Sequence, residues 1–346
     1  MITLDGSEGH GGGSVLRIAS GLAALTRTPI KVENIRISRP NPGMQAQHLS
    51  GLRGVADFCK GKLLGDELGS TEMDFYPGTE TRDCLSISIQ TAGSVSLALQ
   101  PILIASALSR KRIRVSMNGG GTMVKWAPPT DFLENITFRL LEKMGFKIRL
   151  FITRHGFYPA GGARLEADIS VPHEIMPLYI PERGKIFFCK GISRAAYGME
   201  SFDAAENMST SCSEAMEKYF SSRNIKIKPE IKSSYEKTDS QGYCLTSWAE
   251  SENTIIGASE MGDKKDLPEE IGKNVAQNLE KFLDSGATLD SNSADQVLPF
   301  MALAKGSEIK IAEMTGHIET SIALTEKFLK MKFKIEKEND GIRISC

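Results

Sequence analysis

Residues 5–17, DGSEGHGGGSVLR, set Gly9, Gly11, Gly12 and Gly13 around His10 and end on Arg17. Three chemistries suit such a run: a phosphate cradle, a metal site using His10, or a turn before a helix. The run is not a GxxxxGK[ST] loop, and its GxGxxG context is insecure, so glycine here is read as letting backbone approach a ligand closely. Near the other end, TGHIET places His317 behind a glycine at an expected helix start. A histidine there reads either as an ordinary hydrogen-bonded surface residue or as a covalent nucleophile. The positive helix end favours the neutral imidazole that a nucleophile needs. Between them, RISRPNPGMQAQH carries Arg36, Arg39, Gln47 and His48, and Arg17 and Arg53 add to the local positive charge. These arginines are either a solvated basic face or forks for phosphate oxygens, which guanidinium suits better than ammonium.

The elements that must position these residues alternate in period. Helical spacing from Ser14 to Leu25 gives way to strand-like TPIKVENIRI, a second helix from about Met44 to Cys59, and short strands near 62–68, 73–76 and 85–89. The order returns as a buried-looking helix over 92–109, the strand KRIRVSM, the helix PTDFLENITFRLLEKMG, and strands FKIRLFI and ARLEADISV. It returns again as ADQVLPFMALAKG, SEIKIAEM, HIETSIALTEKFLKM, FKIEKE and GIRISC. The pattern is therefore α/β, with three repeated helix–strand–helix–strand–strand units. A stretch with its own strand–helix–strands pattern, 182–266, is expected as a small α/β domain inserted before the third unit. The large domain then comprises 1–181 and 267–346. In each unit the unusual residues gather in the loop before the second helix: RISRPNPGMQAQH, NGGGTMVKWAPPTDF and EMTGHIETSI. Helix N-termini attract phosphate, so three equivalent ends facing one cleft would make an anion site.

At 346 residues with 40% hydrophobic and 25% charged content, the chain is a globular protein with room for a large core. A formal charge of −1 excludes a broadly basic protein and confines any nucleic-acid contact to a local cluster. No apolar run approaches spanning length, and MITLDGSEGH lacks a basic–apolar–small leader pattern, so no membrane partner and a cytoplasmic location are expected. The six cysteines are scattered without a CxxC pair or a Cys/His cluster, which argues for reduced thiols and against structural zinc.

With these residues in view, the chain resembles the RNA 3′-terminal phosphate cyclases over nearly its whole length. The likeness is carried, in order, by LDGSEGHGGGSVLR, IRISRPNPGMQAQHL, ELGS…FYPG, TAGSVSLALQ, APPTDF, RHGFYPAGG, ADQVLPFMALA and GHIETSIALTEKFL. The resemblance implies three α/β modules plus an inserted small domain, and an ATP-dependent ligase acting on RNA with a 3′-phosphate. A histidine takes AMP from ATP, AMP passes to the RNA 3′-phosphate, and the ribose 2′-OH closes a 2′,3′-cyclic phosphate. By motif, His317 matches the adenylated nucleophile, and Arg17, Arg36, Arg39 and Gln47 the phosphate-contacting residues. Gln100, Pro128, Phe132, Asp295 and Gln296 match the nucleotide pocket. His48 and the segment from His155 to Gly162 are motif positions without an assigned task.

Departures from the family pattern narrow the expectations. His10 stands where the family has a glutamate linked to a divalent metal, Mg²⁺ or Mn²⁺; imidazole suits Mn²⁺ better than Mg²⁺. Asn292 stands where a stacking tyrosine is expected, and Ala163 replaces a glycine. The competing reading is a non-catalytic cyclase-like protein of RNA processing or ribosome biogenesis, a branch that lacks the histidine at 317. Enolpyruvyl transferases share the module, but that reading gives no reason for a histidine nucleophile. A homodimer is compatible with all of these readings.

Overall fold

The computed structural model describes residues 1–8, 13–107, 109, 111–262 and 265–346. The first unit runs β1 (Ile2–Asp5), α1 (Gly13–Thr26), β2 (Ile30–Glu33), α2 (Ala46–Phe58), β3 (Lys62–Leu64) and β4 (Met73–Tyr76). Its sheet has the order β1-β2-β4-β3, with the first pair parallel and the others antiparallel. The second unit runs β5 (Cys84–Ser94), α3 (Val95–Ser106), β6 (Ile113–Gly121), α4 (Thr130–Phe132), a wider helical turn over Leu133–Thr137, α5 (Phe138–Lys143), β7 (Lys147–Arg154) and β8 (Arg164–Ser170). Its order, β5-β6-β8-β7, and its strand directions repeat those of the first sheet.

Next come β9 (Ile186–Ala196), a tight turn over Tyr197–Phe202, α6 (Ala204–Ser222), β10 (Glu230–Glu236), β11 (Tyr243–Ser251), β12 (Ile255–Gly262) and α7 (Pro268–Asp284), forming a sheet of order β10-β9-β11-β12. The last elements are α8 (Ser291–Met301), β13 (Glu308–Ile311), α9 (Gly316–Leu329), β14 (Lys334–Glu338) and β15 (Gly341–Ser345), in a sheet β13-β15-β14. A parallel bridge between Tyr179 and Glu308 stands where β1 and β5 stand in the earlier sheets. Each sheet thus has a strand, or a remnant of one, ahead of its first helix; the sequence reading has the one near 85–89 and the one opening 182–266 and leaves out β1 and the Tyr179 remnant.

The helices sit against one face of their sheets because the apolar positions demand it. In β5, Leu85, Ile87 and Ile89 are buried while Cys84, Ser86 and Ser88 face out, the alternation of a sheet wetted on one side. In α1 an unbroken run from Ser14 to Ala24 is buried, as suits a helix covered on all sides. Gly21 lets α1 approach α3: a Cβ there would stand 2.8 Å from both Ile104 Cβ and the Pro101 carbonyl oxygen. The main core gathers α1, α2, α3, α8 and α9 against the three sheets of the repeated units, and Trp248 and Ile255 join it. A second core lies between β9–β12 and the helices α6 and α7, built on Met208, Cys212, Phe220, Leu245, Val275 and Leu279. All six cysteines are free thiols. Among the described residues no helix is long and apolar enough to cross a membrane.

Candidate functional site

The first helices of the three units converge, and each brings a polar side chain to one place. Arg17 comes from α1, Gln100 from α3, and Asp295 and Gln296 from α8; all four line a narrow pocket of about 60 Å³. Pro128 and Trp126, from the loop before α4, and His317, from α9, complete the wall together with Ser96, Leu97 and Asn292. The pocket opens beside a larger cleft of about 570 Å³ that shares Trp126, Pro128, Asn292 and His317. The far side of that cleft is Cys244, Ser259, Glu260 and Met261 of β11 and β12. His317 therefore stands at a mouth between the repeated units and the sheet β10-β9-β11-β12.

Local sequence explains the presentation. Thr315 is the N-cap of α9, and its side chain accepts a hydrogen bond from the Ile318 N–H at 3.3 Å. Gly316 and His317 then occupy the first turn, with His317 exposed while Ile318 is fully buried. Asp290 caps α8 in the same way, accepting from the Ser293 N–H at 2.8 Å and its hydroxyl at 2.7 Å. It also accepts from the Gly257 N–H of β12 at 3.2 Å, which ties α8 to the inserted sheet.

Inside the pocket, Arg17 donates from Nε to Gln100 Oε1 at 3.0 Å. Burial pulls the Arg17 guanidinium down to about 10 and pushes the Asp295 carboxyl up to about 7; their mutual attraction opposes both shifts. Asp295 is thus held near its own titration point at neutral pH. An incoming phosphate could take its place as the counter-charge of Arg17. Gln296 Nε2 donates to the Asn292 carbonyl at 2.9 Å, and Thr137 Oγ1 donates to Gln296 Oε1 at 3.3 Å.

The first-unit loop does not line this pocket. Arg36, at φ +54°, donates from Nη1 to the Asn41 and Gly43 carbonyls at 2.7 and 2.9 Å, bracing its own loop. Arg39 is exposed on that loop. Gln47 Oε1 accepts from the Ser94 N–H at 2.8 Å and so joins α2 to the start of α3. The expectation of three helix ends around one cleft is therefore met by the second and third loops only. Phe132 is fully buried in the main core, not on the pocket wall, because it faces inward from the helical turn that begins at Thr130. His10 lies outside the described residues.

Two residues enter to which the motif carry-over gives no task. Trp126 is 97% exposed and sits at φ +62°, a left-handed backbone that is rare for a bulky side chain and that turns the indole out beside Pro128. Its signal in sequence is only a lone aromatic before a proline pair. His48 is 4% exposed, and its Nδ1 accepts from the Gln45 N–H at 3.2 Å. An added Cβ on Gly13 would stand 2.8 Å from His48 Nε2, so the glycine start of α1 is what leaves that ring room. Burial, and then the charges of Arg17 and Arg36, lower His48 from 6.5 to about 3.

His48 stays neutral in the fold while the unfolded chain protonates near 6.5. Its contribution to stability is therefore full above that pH and falls away as acid is added, down to about 3. Replacing His48 by Gln removes this acid sensitivity. Urea unfolding at about pH 5 then shows the variant's loss relative to pH 7 reduced by about 2 kcal/mol. Equal pH profiles for the two proteins would show that His48 is protonated in the fold.

The sequence pattern of a known family, described as RNA 3′-terminal phosphate cyclase, matches residues 8–335. An RNA 3′-terminal phosphate cyclase of Methanothermobacter thermautotrophicus is 38% identical over 341 residues, covering 99% of this chain and 98% of its own. Proteins of the same description from Methanococcoides burtonii and Thermococcus kodakarensis are each 34% identical, covering 100% and 97% of this chain and 99% and 95% of their own. With the pattern spanning nearly all of the described elements, the chain belongs to the RNA 3′-terminal phosphate cyclase family.

Proposed function

We propose that this chain uses ATP to close RNA 3′-phosphate ends into 2′,3′-cyclic phosphates through a covalent adenylate on His317. The observation that carries the reading is the gathering of His317, Arg17, Gln100, Pro128, Asp295 and Gln296 in one pocket from helices and loops far apart in sequence. A neutral imidazole nitrogen of His317 attacks the α-phosphorus; the bond to the bridging oxygen breaks and pyrophosphate departs with the electron pair. An oxygen of the RNA 3′-phosphate then attacks the same phosphorus, breaking the P–N bond and forming an anhydride. Finally the 2′-OH loses its proton, attacks the RNA phosphorus and expels AMP. Arg17, fixed by Gln100 in a desolvated pocket, supplies the preorganised positive charge that phosphoryl transfer requires. Trp126 and Pro128 offer flat faces at the rim for a base.

ATP and a 3′-phosphorylated RNA are the partners of this reading. The described residues do not by themselves form a cage for a divalent cation, since no three His, Cys, Asp or Glu side chains converge among them. A Mg²⁺ or Mn²⁺ ion would lean on phosphate oxygens and on the loop of His10. If His10 is that ligand, His10→Glu raises the ratio of activity with Mg²⁺ to activity with Mn²⁺; an unchanged ratio removes His10 from the metal site. The reading also takes 1–181 with 267–346 as one body and 182–266 as an insert. The packing of α7 on α6 favours moving the second boundary to about the end of α7 at Asp284.

The test is product analysis. Incubating the full chain with ATP, divalent metal and a 3′-phosphorylated RNA yields a phosphatase-resistant cyclic end, with one AMP and one pyrophosphate per end closed. RNA binding with no ATP consumed would support the non-catalytic alternative instead.

A further inference from the structure

A second cavity lies away from this pocket, on the other side of the same seam. About 780 Å³ in volume, it opens between β7 and β8 of the second unit and the end of β10, with Arg154, Arg164, Lys237, His155 and Glu236 on its walls. Its charge is lopsided. Glu236 is committed to Arg194 at 2.6 Å, and Asp239 to Arg154. Arg164 and Lys237 are exposed, and among the described residues neither has a carboxylate within salt-bridge distance. Arg154 and Arg164 are also direct cross-strand partners, and of these two like charges only Arg154 is offset by a carboxylate, Asp239.

The back wall is rigid. His155 is 9% exposed, with Nδ1 3.1 Å from the Thr122 hydroxyl, and that hydroxyl also accepts from the Gly156 N–H at 3.2 Å. The Ala160 N–H donates to Ser240 Oγ at 2.9 Å, latching the loop after β7 onto the inserted sheet. The segment from His155 to Gly162, which the site described above leaves without a task, makes the contact between β7 and the chain that follows β10 at this cavity.

We infer that this cavity is a second anion site, holding backbone phosphates of the substrate RNA upstream of its reacting 3′ end. The inference rests on the cyclase reading for the identity of the strand. Register supplies the geometry: Ser234, Arg194, Cys244 and Met261 form one transverse row across β10, β9, β11 and β12. The cavity touches Tyr235 and Glu236, just past the β10 end of that row, and the cleft of His317 touches Cys244 and Met261 at the other. Two to three interstrand spacings separate them, about 10–14 Å in a straight line. The middle of the row is covered, since Arg194 is paired with buried Asp131 and Cys244 packs against Met123 and Phe157, so a strand joining the two sites goes around the seam and spans at least about four nucleotides at about 3.4 Å each.

Fluorescence anisotropy without ATP tests this, using a 3′-phosphorylated dinucleotide and an RNA of about twelve nucleotides. For the wild type the longer RNA binds more tightly. In Arg164→Gln/Lys237→Gln the longer RNA binds about tenfold more weakly, and the slope of log K against log salt shrinks by about 1.4, two phosphate contacts on a single strand. Dinucleotide binding and labelling by ATP alone stay unchanged. Both positions are exposed, and matching thermal melts establish that the variant is folded. Equal affinity of wild type and variant for the longer RNA, with equal salt slopes, overturns the inference while leaving cyclisation intact. Length-dependent binding by a chain that never closes RNA ends would instead uphold the track and overturn the cyclase reading.

Discussion

On the proposed mechanism, replacing His317 by Ala abolishes cyclisation, with a rate loss of at least about 10⁴-fold, because it removes the covalent nucleophile and so the reaction path, not merely a contact. The fold should be untouched. His317 is exposed, the cap on α9 belongs to Thr315, and the buried face of that helix begins at Ile318. Equal melting curves and equal RNA binding for variant and wild type, beside lost turnover, are therefore the expected outcome. A variant that still closes RNA ends at a tenth of the wild-type rate would put the nucleophile elsewhere. Arg17→Gln should give the contrasting profile, since its buried guanidinium balances Asp295 and, on the proposed mechanism, also meets phosphate.

Arg194→Ala has the largest expected effect on stability, a loss of about 3–5 kcal/mol in urea unfolding. Arg194 makes paired bonds to Asp131 at 2.7 and 3.0 Å and a third to Glu236 at 2.6 Å, with its own side chain only 19% exposed and that of Asp131 4%. Truncation leaves two carboxylates facing each other at the seam with no cation, which is costlier than never having built the pair. The triple variant Arg194→Met/Asp131→Asn/Glu236→Gln should recover most of the loss, since it replaces the network without stranding a charge. By comparison, breaking the exposed Arg223–Asp284 pair should cost at most about 1 kcal/mol. If Arg194→Ala proves no worse than that surface pair, the seam is not held by this network.

The elements on which the site rests were legible because their periods are strong. Helices near 14–25, 46–58 and 316–329 and their following strands appear where the apolar spacing puts them. Two of the leading strands are not legible because they are short or reduced to one bridge: β1 has four residues, and Tyr179 pairs alone with Glu308, whereas the eleven-residue β5 and β9 stand where strands are read. Helix α7 was overlooked although its pattern is plain, with Pro268 at its first turn, Glu269 and Glu270 beside it, and Ile271, Val275, Leu279 and Leu283 along one face. Its packing on the smaller core could not be read from sequence, since an apolar stripe does not name its partner.

The same limit applies to the site. Arg17, Gln100, Asp295, Gln296, Pro128 and His317, which the motifs group, line one pocket, whereas Phe132 shows that an aromatic beside a motif can lie in the core. Trp126 was missed because its importance lies in its backbone, a positive φ that no residue type announces. The buried triad of Asp131, Arg194 and Glu236 joins three segments of the chain and becomes visible only once they pack.

The most direct test of the central claim is to incubate the full chain with α-labelled ATP and divalent metal, without RNA, and to map the label. The account predicts acid-labile, alkali-stable label on the peptide containing His317, with pyrophosphate released in equal amount. Label on any other residue, or none with Mg²⁺, Mn²⁺ or Co²⁺, would contradict it.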